Sequence, residues 1–150
     1  MNLSSIIGLQ SEIFVPVVPP PVWTDVTMDI RDMTIALVTA AGVHLKSDDR
    51  FNLAGDTGYR VIPGNTRSCD LMVTHGGYDN SDVNKDINCM FPIDRLSELA
   101  SERFIKAAAP NHYSFMGGGG NQDVFKKYTG PEIAQKLLRE EVNAAVLTAG

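Results

Sequence analysis

The segment 75–89 holds the densest group of side chains that could do chemistry. Its carboxylates, Asp79, Asp82 and Asp86, could accept hydrogen bonds, bind a cation or orient Lys85. The spacing resembles half of an EF-hand, but the glycine at position 6 and the terminal glutamate are missing, which disfavours calcium. The competing interpretation, a solvated turn capped by its own aspartates, is the one that composition alone favours.

A second candidate is a run of four consecutive glycines, Gly117, Gly118, Gly119 and Gly120. Consecutive glycines allow backbone N–H groups to approach an anion. The run is not a Walker loop, because Lys126 and Lys127 come too late, and it does not match GxGxxG. A flexible hinge explains the same residues equally well.

Three histidines, His44, His75 and His112, each follow a predicted strand, so all three could meet at one edge of a sheet. Acid–base or metal chemistry would need only two of them to converge, whereas a single solvated histidine is the commoner outcome. Cys69 and Cys89 are more typical of buried structural thiols than of nucleophiles. No Ser/His/Asp triad, paired carboxylates or metal-ligand cluster stands out, and no metal is predicted.

The composition is that of a single acidic globular domain. The chain has 150 residues, a net charge of −5, 43% hydrophobic residues and two cysteines. The acidic balance argues against a nucleic-acid-binding module, and two cysteines make no disulfide framework, which favours a cytoplasmic location. No apolar run reaches the ~18 residues of a membrane span, and the N-terminus lacks the basic residues of a signal peptide.

Short apolar runs predict the strands that must position these side chains. Four are at 33–39, 71–74, 104–109 and 143–148, and a weaker fifth is at 59–62. Continuous runs of this kind are typical of parallel strands covered on both faces. A helix capped by Asp94 is predicted to end near Phe104, and another begins at Gly130 with Pro131 in its first turn. The order predicts an α/β domain with a parallel sheet of the Rossmann or flavodoxin-like kind.

Residues 1–32 are predicted to form an extended, proline-rich arm, and residues 33–150 the N-terminal part of one α/β domain. Polar loops at 40–52, 75–88 and 110–121 follow predicted strands, where the sites of such sheets lie. After the last strand only Ala149 and Gly150 remain. We therefore expect the domain to be truncated there, to expose apolar residues of 142–147, and to be poorly stable or self-associated alone.

Longer motifs around these loops resemble a known family. The stretches 75–80 (HGGYDN), 83–88 (VNKDIN) and 91–96 (FPIDRL) are similar to the glycine/sarcosine/betaine/D-proline reductase selenoprotein B family. Residues 37–44 (LVTAAGVH), 51–56 (FNLAGD), the glycine run and 147–150 (LTAG) resemble the members of that family that act on D-proline. The resemblance covers essentially the whole chain.

This resemblance implies the dithiol-dependent reductive ring opening of D-proline to 5-aminovalerate in amino-acid (Stickland) fermentation. In the family, a selenocysteine encoded by UGA follows Leu-Thr-Ala-Gly, so we expect it directly after Gly150. A pyruvoyl group on a partner subunit engages the proline nitrogen, the selenolate attacks Cα, and a dithiol or electron-donor protein resets the oxidised Se–S pair. This chain would bind no cofactor itself and, lacking the nucleophile, would be inactive alone within a hetero-oligomer.

The same resemblance suggests roles for the loop residues. His44, His75 or His112 would protonate the leaving amine, and the glycines Gly117 to Gly120 would donate backbone hydrogen bonds to the substrate carboxylate. Asp79, Asp82 and Lys85 would form the pocket floor or the contact with the pyruvoyl subunit, and Thr148 and Gly150 are also assigned to substrate binding. The alternatives are a glycine, sarcosine or betaine reductase component B, or a non-catalytic truncated chain that binds partner subunits.

Overall fold

The main sheet is built around one central strand. The computed structural model describes residues 24–117 and 121–149. Strand β1 (Thr34–Thr39) pairs in parallel with β5 (Ala107–Ala108), β6 (Asn111–Phe115) and β7 (Ala144–Thr148). Because β7 pairs along β1 from Ile35 to Thr39, β5 and β6 share the opposite edge of β1, with Ala109 and Pro110 between them. The parallel arrangement brings the carboxyl ends of β1, β6 and β7 to one edge of the sheet.

Two further pairings are antiparallel. Strand β3 (Tyr59–Pro63) lies along the outer side of β6. Strands β2 (Val43–Leu45) and β4 (Leu71–Val73) form a separate two-stranded sheet. Gly42 links this small sheet to the main one, because its N–H donates to the carbonyl of Phe115 and its carbonyl accepts from the N–H of Thr74.

Helical segments cover both faces of the main sheet. Helix α1 (Ile93–Ser101) precedes β5. Helix α2 (Gln122–Val124) continues through a π-helical turn (Phe125–Thr129) into helix α3 (Gly130–Arg139), which leads to β7. Short 3₁₀ turns lie at Ile30–Asp32, Ser68–Asp70 and Ile87–Cys89. Within the part of the chain that the structure describes, no helix is long and apolar enough to cross a membrane.

The two faces of β1 explain its continuous apolar sequence. Ile35 and Leu37 pack in the larger core, together with Phe91 and with Ile93 and Leu96 of α1. Val38 packs in a smaller core on the opposite face, with Tyr113 of β6 and Ile133 of α3. A strand covered on both sides needs apolar residues at successive positions, as parallel strands do.

The prediction of an α/β domain with a mostly parallel sheet is confirmed. Several details were wrong. The predicted strand 104–109 is reduced to the two-residue β5 (Ala107–Ala108). Residues 71–74 contribute β4 to the small antiparallel sheet rather than a strand of the parallel one, and the predicted loops 40–52 and 110–121 contain β2 and β6. Asp94 lies inside α1, after Pro92 at the cap, and its carboxylate accepts from the backbone N–H of Ser68 instead. Most of the predicted arm, residues 1–23, lies outside the described residues.

Candidate functional site

The carboxyl edge of the main sheet is a tight backbone junction. The N–H of Ala40 donates to the carbonyl of Thr148 at 3.0 Å, and the N–H of Gly117 donates to the carbonyl of Ala40 at 2.9 Å. A Cβ on Gly117 would lie 3.1 Å from the Cβ of Ala40. This close approach favours a glycine at position 117, where the chain segments after β1 and β6 are held together beside the end of β7.

The loop after β4 is fastened to this junction by a histidine. The Nε2 of His75 lies 2.9 Å from the carbonyl oxygen of Gly117, and the N–H of Gly77 donates to Nδ1 at 2.9 Å. Since Nδ1 accepts, the neutral ring carries its proton on Nε2 and donates it to Gly117. Both ring nitrogens are thus committed, which suits a residue that positions the glycine segment.

Neighbours of His75 hold its turn in place. The ring of Tyr78 lies 4.7 Å from the ring of His75, and its hydroxyl donates to the carbonyl of Ala41 at 2.8 Å. Burial raises the pKa of Tyr78, so it stays a protonated donor. The side-chain amide of Asn80 donates to the carbonyl of His75, while its Oδ1 is buried without a partner among the described residues.

A row of hydroxyls crosses the three parallel strands just before the junction. Thr39 of β1 is in register with Ser114 of β6 and with Thr148 of β7. The hydroxyl of Thr39 accepts from the N–H of Ala41, but the hydroxyls of Ser114 and Thr148 are buried without a hydrogen-bond partner in the described parts of the chain. Buried polar groups normally have partners. These two hydroxyls are therefore exceptions to that rule among the described residues.

An open cavity of about 220 Å³ adjoins Gly117. Its apolar wall is formed by Phe115, Met116 and Phe125, and its polar wall by Asp56, Gln122 and Lys126. The carboxylate of Asp56 is held by the N–H groups of Asn52 and Gly58 and lies 3.7 Å from Arg60. This cavity could not be predicted from the sequence, because the residues that line it come from segments about 70 residues apart.

His44 and His112 lie within strands β2 and β6 and are fully buried, so the structure does not bring the three histidines together at one edge. The ring of His44 lies between the carbonyl of Leu45 and the hydroxyl of Thr74. The Nδ1 of His112 accepts from the N–H of Leu37. Burial lowers the pKa of His112 to about 4, so the ring is neutral at pH 7.

The charged residues of the loop 75–89 lie in a solvated turn, which is the alternative to a binding role that composition favoured. Asp79 accepts from the N–H of Ser81, and the carboxylate of Asp82 lies 2.9 Å from the ammonium of Lys85. The side chains of Lys85 and Asp82 are 75% and 85% exposed, and neither lines the cavity.

The remaining predicted residues divide into two groups. Both cysteines, Cys69 and Cys89, are exposed, so the prediction that they are buried was wrong. Four predicted glycines lie outside the described residues: Gly118, Gly119, Gly120 and Gly150.

Comparison with known proteins places these features in a family. The family model of glycine/sarcosine/betaine reductase selenoprotein B (GRDB) matches residues 9–150. The chain is 64% identical to the D-proline reductase subunit gamma of Acetoanaerobium sticklandii, over 99% of this chain and 62% of that protein. It is 31% identical to the sarcosine reductase complex component B subunit beta of Peptoclostridium acidaminophilum, over 94% of this chain and 34% of that protein.

A third relative acts in another complex. The chain is 32% identical to the glycine reductase complex component B subunit gamma of Carboxydothermus hydrogenoformans, over 81% of this chain and 29% of that protein. The chain thus spans less than two thirds of the length of each of these relatives. No solved structure matches it.

Proposed function

Because the chain belongs to the glycine/sarcosine/betaine reductase selenoprotein B family, we propose that its full-length form is the selenocysteine-bearing subunit of a D-proline reductase complex. The observation that carries the choice of substrate is the 64% identity to a D-proline reductase subunit, against 31% and 32% for the sarcosine and glycine reductase relatives. Membership of the family supports a role in a reductase complex. The higher identity to the D-proline reductase subunit supports the choice of D-proline as the substrate.

The proposed reaction opens the five-membered ring of D-proline to give 5-aminovalerate. The bond between Cα and nitrogen breaks, and each atom gains a hydrogen. The two electrons and two protons come from a dithiol, which is oxidised to a disulfide. When present, the selenocysteine supplies the nucleophile and the pyruvoyl group of a partner subunit supplies an electrophilic carbonyl for the proline nitrogen.

Residues of this chain provide the surroundings of that chemistry at the carboxyl edge of the sheet. The junction of Ala40, Gly117 and Thr148 fixes the ends of three parallel strands, the position at which sites of such sheets lie. The N–H groups of Gly118 to Gly120 are the proposed donors to the substrate carboxylate, whereas the N–H of Gly117 already donates to Ala40. The carbonyl of Gly117 is held by His75, which positions the start of the run.

The reaction also needs a group that protonates the leaving amine, and the three histidines were the candidates. The ring of His75 lies at the junction, whereas the rings of His44 and His112 are buried in the core. In the described conformation His75 already donates its proton to Gly117, so it would need to break that bond before acting as an acid. His75 is therefore chiefly a positioning residue in this proposal.

The exposed loop residues fit a role in assembly. Asp82 and Lys85 carry side chains that are largely exposed and that pair with each other. Asp79 lies in the same exposed turn. These charges form part of the proposed contact with the pyruvoyl subunit of a cytoplasmic hetero-oligomer.

Two measurements on the full-length protein test the proposal. Mass spectrometry should find selenium in the peptide that contains residues 147–150, at the position after Gly150, and the complex should reduce D-proline with a dithiol. The isolated 150-residue chain should show no turnover, because it holds no selenocysteine. Cysteine or no continuing frame after Gly150, or turnover by the isolated chain, would contradict the proposal.

The second candidate is a component B that acts on glycine, sarcosine or betaine. It is favoured by the relatives from sarcosine and glycine reductase complexes, which share about 30% of the aligned residues. A panel of the four amines separates the candidates, because a complex of this kind should consume one of them in preference to the others.

A further inference from the structure

Three residues on one face of the helical stretch after β6 line the cavity beside Gly117. Gln122, Phe125 and Lys126 are spaced i, i+3 and i+4, which places them together on a helix surface. Lys127, the next residue, is turned elsewhere, with its Nζ 5.3 Å from the ring centre of Tyr128. The π-helical turn that carries Phe125 and Lys126 is a local irregularity of a kind frequent at functional sites.

The charges on the polar wall are not equivalent. The carboxylate of Asp56 is satisfied, since it accepts from two backbone N–H groups and lies beside Arg60. Lys126 has no hydrogen bond or ion pair within residues 24–117 and 121–149. Lys126 is exposed at the cavity, and its ammonium carries three donors and no acceptor, so it can pair with an anion that enters.

The apolar part of the lining, to which the same helical stretch contributes Phe125, suits a small hydrocarbon ring. The rings of Phe115 and Phe125 lie 4.4 Å apart and make one continuous surface, which Met116 extends. The cavity of about 220 Å³ lies below the ~300 Å³ at which drug-sized pockets begin, so its ligand is small. An anionic head and a short apolar body are the features of a small amino acid with a cyclic side chain.

We propose that this cavity is the amino-acid subsite of the complex and that Lys126 binds the substrate carboxylate, while the ring methylenes lie against Phe115 and Phe125. This inference rests on the proposed function and deepens it, because it names a substrate-binding residue of the same site.

The test compares Lys126→Gln with Lys127→Gln in the full-length complex. Removing the ammonium should raise the KM for D-proline about tenfold to a hundredfold, the range for a hydrogen bond to a charged group, and change kcat less than about twofold. Lys127→Gln should keep the wild-type KM, and Lys126→Arg should recover most of the lost affinity. An unchanged KM in Lys126→Gln would overturn the inference while leaving the D-proline assignment in place.

A binding measurement separates the two proposals. D-Proline should raise the melting temperature of the full-length wild-type and Lys127→Gln proteins but not of Lys126→Gln, and D-prolinamide, which lacks the carboxylate, should raise none of them. If the wild-type complex instead reduces glycine, sarcosine or betaine, with a KM that depends on Lys126, the function proposed above fails and the carboxylate site stands. If the KM for none of the four amino acids depends on Lys126, the proposed carboxylate site is wrong.

Discussion

At the scale of single residues, the hydrogen bonds assign different tasks to side chains that looked alike in the sequence. All three histidines were candidates for acid–base chemistry, but both ring nitrogens of His44 and the Nδ1 of His112 bond to groups inside the protein. Only His75 joins the carboxyl edge of the sheet. The residue types could be predicted to matter, but their roles depend on partners that lie between 2 and 75 positions away along the chain.

Replacing His75 with alanine should impair turnover more than folding. The substitution removes two hydrogen bonds that fasten Gly117 and Gly77, so kcat/KM for D-proline in the full-length complex should fall about tenfold. Arg95→Ala, at an exposed position on α1, provides the matched control and should keep the wild-type rate. A wild-type kcat/KM in His75→Ala, with the complex intact, would remove His75 from the site.

At the scale of elements, the strands and helices that were predicted well are those with continuous apolar sequences or clear end signals. Strands β1 and β7 and helix α3 belong to this group, and Pro131 marks the first turn of α3. Strand β6 was mistaken for a loop because His112 and Ser114 are polar, although both are fully buried. The pairing of β4 with β2 could not be predicted, because a three-residue apolar run does not specify its neighbour.

The break between β5 and β6 explains why a buried polar residue is kept in a strand. Pairing shifts by two residues between Thr34↔Ala107 and Val38↔Tyr113, and in this irregular region the ring of His112 accepts the N–H of Leu37. A histidine can do so only when it is neutral, and burial lowers its pKa to about 4 from 6.5. The stability of this part of the sheet is thereby coupled to pH.

The sign of that coupling follows from proton uptake. Between pH 6.5 and 4 the unfolded chain binds a proton at His112 that the folded chain does not, so the free energy of unfolding falls as the pH is lowered through this range. A pKa lowered to about 4 corresponds to a loss of about 3 kcal/mol. Urea titrations at pH 7 and pH 4.5 should show most of this loss in the wild type.

The variant His112→Asn isolates the contribution. Asparagine has an acceptor for the N–H of Leu37 but does not titrate, so its unfolding free energy should be lower at pH 7 yet decline less on acidification. An equal decline in the two proteins would show that other groups cause the pH dependence and that His112 does not.

At the scale of the whole molecule, the described chain is an α/β unit. Hydrogen bonds join the strand ends at its carboxyl edge, and β7 exposes apolar side chains. The side chains of Val146 and Leu147 on β7 are exposed, as the sequence analysis expected for the apolar run 142–147. The family could be recognised from long loop motifs, and the 64% identity to a D-proline reductase subunit agrees with them. The cavity could not be predicted from the sequence. Asp56 and Lys126 line the same cavity only after β3, β6 and the helical stretch have folded together.

The measurement that tests the central claim most directly is amine reduction by the complex purified with the full-length, selenium-containing chain. With a dithiol as reductant, we predict that D-proline is consumed with the appearance of one 5-aminovalerate per disulfide formed, and that glycine, sarcosine and betaine are not reduced under the same conditions. Reduction of one of those three amines in place of D-proline, or no dithiol oxidation with any of the four, would contradict the account.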